Sequence, residues 1–532
     1  MLERRGYRVR HVMNITDVGH MTQDHLADAT GEDKLAKAAR ELGQDPYEVA
    51  AHFERAFIED ARTLKLKNQL GSEGDDRTLH PRATDYVPEM LAMIQTLIER
   101  GYAYVDGAGQ VYFEVAKFPE YGALSGKDID DLEVGARVAV REEKKDPRDF
   151  ALWKVDDKHL MQWNPHGPDG WRGDGWARLK DLCPKGVDPR VRPGFPGWHI
   201  ECSAMARALL GEEIDIHTGG EDNIFPHHEC EIAQSYGAGG PNAPKAFAKF
   251  WVHCRHLLVN NHKMSKRDGT FFTVRDLLDP KGSGRAELGA RFEELGFAGG
   301  RIPPSVIRYA LVSNPFTQPM NFTFDLLTQA KSSIERIQSR YDRLREQAGN
   351  GPVDDRVRAL LDTANADFDA ALDDNLNTPN AMAAVFNLVS GLNQMTLSPG
   401  DAQAALAVFD GFDDILDVLD RRARSGVLSR EDLASWLKPE TRTARASQWS
   451  SWAASPDRAA ALASLQAGAL PSREELAVII ALDADVIELM VAARNAAKQG
   501  RDFATSDAIR DDLKRRGAVV EDVAQGVRWK LP

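Results

Sequence analysis

An α/β domain with a β-rich insertion, followed by an α-helical bundle and a small α+β tail, is the fold class that the order of patterns along these 532 residues predicts. Three observations carry that reading. Strand-like runs alternate with helical periodicity as far as about residue 300, the pattern of a parallel sheet. Segments 325–347, 355–374, 379–395 and 401–421 repeat apolar residues at i, i+3 and i+4 with almost no glycine, as bundle helices do. Beyond residue 474 two helical stretches lead into Val519–Asp522 and Val527–Trp529, two short runs that suit a hairpin.

Taken in order, Tyr7–Met13 reads as a strand running into Asn14-Ile15-Thr16-Asp17, with a polar helix following to about residue 65. Residues 87–101 place Met90, Leu91, Ile94, Leu97 and Ile98 on one helical face, and Gly101 closes the helix. Alternating segments from Ala103 onward make the β-rich insertion, about 102–190, which includes a Gly/Pro/Trp-rich loop at 164–176. Strand signals return at Glu213–His217 and Phe250–Val252. The domains expected are therefore 1–300 for the α/β part, 301–423 for the bundle, 424–473 as a linker with short helices, and 474–532 as the tail.

Bulk composition narrows the function classes. A net charge of −14 argues against nonspecific nucleic-acid binding, although 494–530 carries nine Lys/Arg against six Asp/Glu, a local basic excess suited to RNA or to a solvated helix face. Four cysteines, at 183, 202, 230 and 254, make no disulfide framework and suit a reducing cytoplasm. Apolar runs fall short of a membrane span, so no membrane partner is expected.

Two constellations carry chemistry. His227 and Glu231 lie four apart in a segment that reads as a helix begun by Pro226, and so share a helical face. With Cys202 they form a mixed sulfur, nitrogen and oxygen set suited to zinc. The spacing is no zinc-finger pattern, and a buried cysteine beside a surface His/Glu pair fits the residues equally well. A thiophilic metal separates cysteine from serine or alanine where size differences alone give little. The second constellation is His217-Thr218-Gly219-Gly220-Glu221-Asp222 after a strand, together with Lys263-Met264-Ser265-Lys266. Glycines allow close backbone approach to a nucleotide, and two lysines around a small hydroxyl can neutralise an α-phosphate under attack; a plain turn is the alternative for the first.

These motifs, with Pro81–Thr84, Asp149–Lys154, Gly197–Met205, Phe271–Val274 and Asn375-Leu376-Asn377-Thr378-Pro379, resemble those of cysteinyl-tRNA synthetases, a class I aminoacyl-tRNA synthetase family, over essentially the whole chain. The resemblance implies a Rossmann-like catalytic domain and an anticodon-binding tail. It implies Cys202, His227 and Glu231 as ligands of one zinc ion per chain, and Trp198 and His217 around the cysteine. Gly219, Gly220, Asp222, Lys263, Ser265 and Lys266 would bind ATP with Mg2+, Lys263 and Lys266 being the catalytic pair. Cysteine, ATP and the cysteine tRNA are the implied partners, and a cytoplasmic monomer the implied state.

The chain also departs from the family. Nothing matches the first strand with its cysteine ligand and His-Ile-Gly-His loop, and Asp17-Val18-Gly19-His20 reads as a loop variation. Thr218, Glu221, Cys230 and Arg267 stand where Gly, a small residue, Asn and Ser are expected. Cys183, Cys230 or Cys254 could supply a fourth ligand, Cys230 being disfavoured by its angle around the helix. An internal start methionine is the expected cause of the late beginning. The rival readings are an inactive tRNA-binding paralogue and a ligase joining cysteine to an amino sugar.

Overall fold

A computed structural model describes residues 1–19, 21–23, 30–66, 78–127, 144–239, 247–265, 270–421, 425–436, 438–440, 442–443, 459–472, 475–476, 484–515, 518–523 and 526–530. It divides into two compact units, Met1–Leu327 and Thr328–Pro532.

In the first unit β1 (His11–Val12) is much shorter than the expected strand and is followed by β2 (Met21–Gln23) and β3 (Thr30–Asp33). The expected single polar helix is two, α1 (Lys34–Leu42) and α2 (Pro46–Thr63), because Gly43 at φ 63 stops the first and Asp45 with Pro46 starts the second. Asp33 caps α1 by accepting from the Ala36 N–H at 2.7 Å. After β4 (Thr78–Leu79), which pairs in parallel with β1, comes α3 (Val87–Glu99). Its residues Met90, Leu91, Ile94 and Leu97 are fully buried, and Gly101 at φ 77 follows its end.

The insertion is a four-stranded antiparallel sheet in the order β5 (Ala103–Val105), β6 (Val111–Phe113), β7 (Phe150–Lys154), β8 (Phe195–Pro196), with α4 (Gly175–Leu182) before the last strand. Every residue of β7 is buried, and Phe150, Leu152 and Trp153 belong to one core that also holds residues of α3 and of the helix that follows β8. That helix, α5 (Trp198–Leu210), starts at Gly197, whose N–H donates to the Leu152 carbonyl at 2.9 Å.

Next come β9 (Ile214–Gly220), α6 (Glu229–Gly239) and β10 (Ala248–Cys254); β9 and β10 pair in parallel, with His217 opposite Trp251. β11 (Leu257–Val259) and β12 (His262–Lys263) form a hairpin around Asn260 and Asn261, both at positive φ. Then follow α7 (Val274–Leu278), α8 (Ala286–Glu294), α9 (Pro304–Val312) and β13 (Met320–Phe322). The parallel pairing of β13 with β11 ties residues 320–322 to this unit, so its boundary lies past the expected residue 300.

The second unit contains most of α10 (Phe324–Gln347), then α11 (Asp355–Asp373), α12 (Thr378–Leu392) and α13 (Pro399–Leu416). Asn375 and Leu376 take positive φ and Asn377 caps α12 by accepting from Asn380 N at 3.2 Å, which is how the Asn-Leu-Asn-Thr-Pro run reverses the chain. The expected linker contributes β14 (Ser425–Ser429), α14 (Arg430–Ser435) and α15 (Ala459–Gln466). β14 joins the C-terminal hairpin β15 (Val519–Val523) and β16 (Gly526–Lys530) in the order β14-β16-β15, beside α16 (Ala484–Gln499) and α17 (Phe503–Arg515). Trp436 and Trp529 sit in one core with Val486, Ile487 and Leu513. No helix among the described residues is long and apolar enough to cross a membrane.

One buried contact ties Asp17 to Thr84 within the first unit. Asp17, 6 % exposed, accepts from the Thr84 N–H at 2.9 Å and from its hydroxyl at 2.6 Å. Burial pushes the Asp17 carboxyl above its ordinary value, and the two Thr84 bonds only partly offset that. Thr84→Val, which removes the hydroxyl donor from a buried carboxylate, is expected to cost about 1.5–3 kcal/mol at neutral pH. A folded-state value above the unfolded one means stability falls as pH rises through that window. The variant's deficit, read by chemical denaturation, should therefore shrink as pH falls and Asp17 takes up its proton.

Candidate active site

The site is built on α5 and α6, which pack against each other, with His217 of β9 reaching Glu231. Three residues that are far apart in sequence converge there: ligand-capable atoms of Cys202, His227 and Glu231 all lie within 4.8 Å of one another. Cys202 is part-buried and sits on the second turn of α5. His227 and Glu231 are 4 % and 0 % exposed, the first just ahead of α6 and the second in its first turn. The helix does not begin at Pro226 as expected. Phe225 is extended at φ −137, ψ 130, and Ile224–His228 forms a wide turn ahead of α6, yet His227 and Glu231 still share a face.

His227 Nε2 lies 3.3 Å from Glu231 Oε1, and His217 Nε2 lies 2.8 Å from Glu231 Oε2. Both carboxylate oxygens are fully buried yet lack a partner in hydrogen-bond geometry. Burial raises the Glu231 carboxyl, but His217 and His227 outweigh it and hold the group well below the usual carboxylate range. Burial, Glu231 and Glu201 together push the Cys202 thiol well above its usual value, with a hydrogen bond from Asn14 acting the other way. A buried carboxylate held ionised by two imidazoles, beside a thiol, is a donor set that a zinc ion fits: one soft and two borderline or hard ligands in reach of one point. A second group, His217, His228 and Glu231, meets the same distance limit.

Trp198 lies against His227 with ring centroids 4.3 Å apart and the planes tilted by 42°, and His217 meets Trp251 edge-on at 4.9 Å, so both sequence-expected pocket residues border the triad. Cys230 does not: its thiol lies 3.3 Å from the Tyr121 hydroxyl in the core. Cys183 is buried elsewhere, and Cys254, exposed at the end of β10, donates to the Gly219 carbonyl at 3.4 Å.

Gly219 and Gly220 are the last two residues of β9 rather than a turn after it, and the turn is Glu221–Asn223. A Cβ on Gly219 would stand 2.7 Å from the buried His228 ring, so that position requires glycine for space, whereas one on Gly220 would meet only the movable Asp222 side chain, at 2.3 Å. Glu221 accepts from the His256 N–H at 3.0 Å and pairs with Arg255, which gives this larger residue a structural use. Lys263 is exposed in β12. Ser265 N donates to Thr270 Oγ1 at 3.0 Å, and Thr270 N donates back to the Ser265 carbonyl at 3.1 Å, closing the base of the lysine loop. Lys266, Arg267 and His20 lie outside the described residues.

Sequence reasoning missed His199, His228 and Asn14. His199 Nδ1 faces His227 Nδ1 at 2.9 Å, and His228 Nδ1 faces His253 Nε2 at 2.8 Å. Only the i, i+3 relation of His199 to Cys202 on one helix hinted at the first.

Comparison with known proteins shows the family of the chain. Residues 1–178 and 186–285 match the family described as "tRNA synthetases class I (C) catalytic domain", and residues 367–420 match the "DALR domain". A protein of Geobacillus sp. (strain WCH70) named cysteine–tRNA ligase is 35 % identical over 99 % of this chain and 88 % of its own length. One of the same name from Koribacter versatilis is 34 % identical over 99 % and 89 %, and one from Desulforudis audaxviator is 34 % identical over 99 % and 88 %. The chain belongs to the cysteine–tRNA ligase family of class I tRNA synthetases.

Proposed function

We propose that this protein activates cysteine with ATP and transfers it to the cysteine tRNA, as a cytoplasmic monomer that uses one zinc ion and Mg2+-ATP. The observation that carries the reading is the Cys202, His227 and Glu231 triad bordered by Trp198 and His217. Those three residues would hold the zinc, which when bound supplies a thiophilic position for the substrate sulfur and lowers the thiol's pKa. Family membership supports the ATP and tRNA parts of the reading.

The chain's own residues act by placement. Trp198 and His217 would close around the cysteine side chain, leaving its carboxylate toward Gly219 and Gly220 at the end of β9. A strand end in an α/β unit is where nucleotides bind, and the missing side chains at both glycines let the adenylate lie against the backbone. Asp222 would take a ribose hydroxyl. The carboxylate oxygen attacks the α-phosphorus, the bond from that phosphorus to the α,β-bridging oxygen breaks, and pyrophosphate leaves with the bridging oxygen. Lys263, Ser265 and Lys266 would hold the charge that builds on those phosphates. In the second step a hydroxyl of the terminal adenosine attacks the carbonyl carbon and AMP leaves. The 474–532 tail would take the anticodon end of the tRNA.

Cysteine-dependent ATP–pyrophosphate exchange tests this. Exchange is expected with cysteine and to be lower with serine or alanine by well over the roughly 10–200-fold that shape alone gives. Exchange absent with cysteine, at full zinc occupancy, would overturn the reading. RNA binding without exchange would then indicate the tRNA-binding paralogue, and adenylate capture by an amino sugar the other ligase.

A further inference from the structure

We propose that His199 is a positioning residue of the metal site: its Nδ1 accepts the Nδ1 proton of His227 and so fixes the tautomer that leaves His227 Nε2 free to ligate. The proposal rests on the reading of Cys202, His227 and Glu231 as metal ligands given above.

The two Nδ1 atoms are 2.9 Å apart in a buried setting, with His199 1 % and His227 4 % exposed. A contact that short between two ring nitrogens holds one proton, carried by one of them and accepted by the other. His227 presents its other nitrogen, Nε2, toward Glu231 Oε1 at 3.3 Å. An imidazole ligates through an unprotonated nitrogen, so a ligating Nε2 requires the proton on Nδ1. That proton points at His199, which must then accept at Nδ1 and keep its own proton on Nε2. If the roles were reversed, with His199 donating, the His227 proton would sit on Nε2 and face Glu231, and the site could not take a metal. The partner of His227 thus decides between a ligand and a non-ligand.

His199 is held for that task. Its ring stands edge-on to Phe150 of β7, with centroids 5.9 Å apart at 88°, and lies against Trp198 at 5.3 Å. It is three residues before Cys202, so one helix carries both the thiol ligand and the orienter of the imidazole ligand. A buried histidine satisfied by another histidine without any bearing on metal is the plain alternative. The two differ in what each substitution does.

Zinc affinity of the full chain, measured by competition with a chromophoric chelator at fixed pH, separates them. His199→Phe keeps the ring shape and removes the acceptor, and it is expected to weaken zinc binding by about 10–100-fold. His199→Asn places an acceptor near the Nδ1 position and should stay within a few-fold of the unmodified chain. His199→Gln, which reaches toward the Nε2 position instead, should behave like the phenylalanine variant. Native zinc affinity in His199→Phe, or equal affinities in His199→Asn and His199→Gln, would overturn the proposal. Should His199→Phe fail to fold, the asparagine–glutamine comparison decides alone. The unmodified chain is measured first, and no zinc binding there would count against the ligand triad itself rather than against His199 alone.

Discussion

Replacing Cys202 by serine is expected to lower zinc content from one per chain to under a tenth of that and to reduce cysteine-dependent exchange on the order of a hundredfold or more. The change keeps the size of the side chain and alters only its chemistry. Zinc takes a thiolate readily and an alcohol poorly, because the serine proton is far harder to remove. In this pocket even the thiol is reluctant: burial, Glu231 and Glu201 raise it well above its usual value before a metal arrives. Metal binding must therefore expel a proton from Cys202, and the serine variant has no comparable route. The remaining donors, His227 and Glu231, are too few for a closed site. Chelation of the unmodified protein should give the same loss, reversed by added zinc, whereas Cys202→Ser should not recover. Exchange at native rates in a zinc-free Cys202→Ser chain would show that the triad is not the cysteine-selecting centre.

Much of the fold was legible in the sequence wherever one strong periodicity ran unbroken. The bundle helices expected at 325–347, 355–374 and 379–395 are Phe324–Gln347, Asp355–Asp373 and Thr378–Leu392, because each buries one long apolar stripe and carries its own cap. The C-terminal hairpin was readable from alternation and is β15 with β16. What was not readable depends on partners distant in sequence. Ser425–Ser429 has no strand-forming run of its own and becomes a strand only because Gly526–Lys530 pairs with it a hundred residues later. Likewise β9 extends through Gly220 because β10 supplies partners as far as Cys254, overriding two glycines that read as a turn.

The candidate site shows the same division. His227 and Glu231 were linked by helical spacing, whereas Cys202 was joined to them by its chemistry and then by resemblance, since nothing in a 25-residue separation tells which faces of α5 and α6 meet. His199 and Asn14 were invisible for that reason: each acts on its neighbour through the fold alone. The lysine loop is the reverse case, clear in sequence, with Lys263 and Ser265 described and Lys266 not.

Gly197→Ala is expected to be strongly damaging although it adds a single methyl group. Gly197 has φ −71 and ψ 152, a conformation any residue adopts, so backbone strain is not the issue. Space is: a Cβ there would sit 2.2 Å from the Ala151 carbonyl oxygen and 3.1 Å from its carbon. Neither atom is the end of a flexible side chain. Both belong to β7, a strand buried along its whole length and paired on both edges, with β6 and with β8. The strand cannot yield, so the start of α5 must move outward, and the 2.9 Å hydrogen bond from Gly197 to the Leu152 carbonyl stretches or breaks. Overpacking of this kind costs about 1–3 kcal/mol and a lost buried hydrogen bond about as much again. Gly107→Ala, where an added Cβ meets nothing within 4 Å, is the matched control and should be close to neutral. The functional consequence follows from geometry, since Trp198, His199 and Cys202 all hang from that first turn and a half of helix. A shift of α5 by a fraction of an ångström detunes the thiol ligand, the aromatic wall of the pocket and the partner of His227 together. Gly197→Ala should therefore lose both zinc affinity and hydrogen-exchange protection at the α5 amides, while the amides of α11 and α12 in the other unit keep theirs. Loss of protection in both units alike would mean that the substitution acts through global unfolding and not through the seat of α5 on β7.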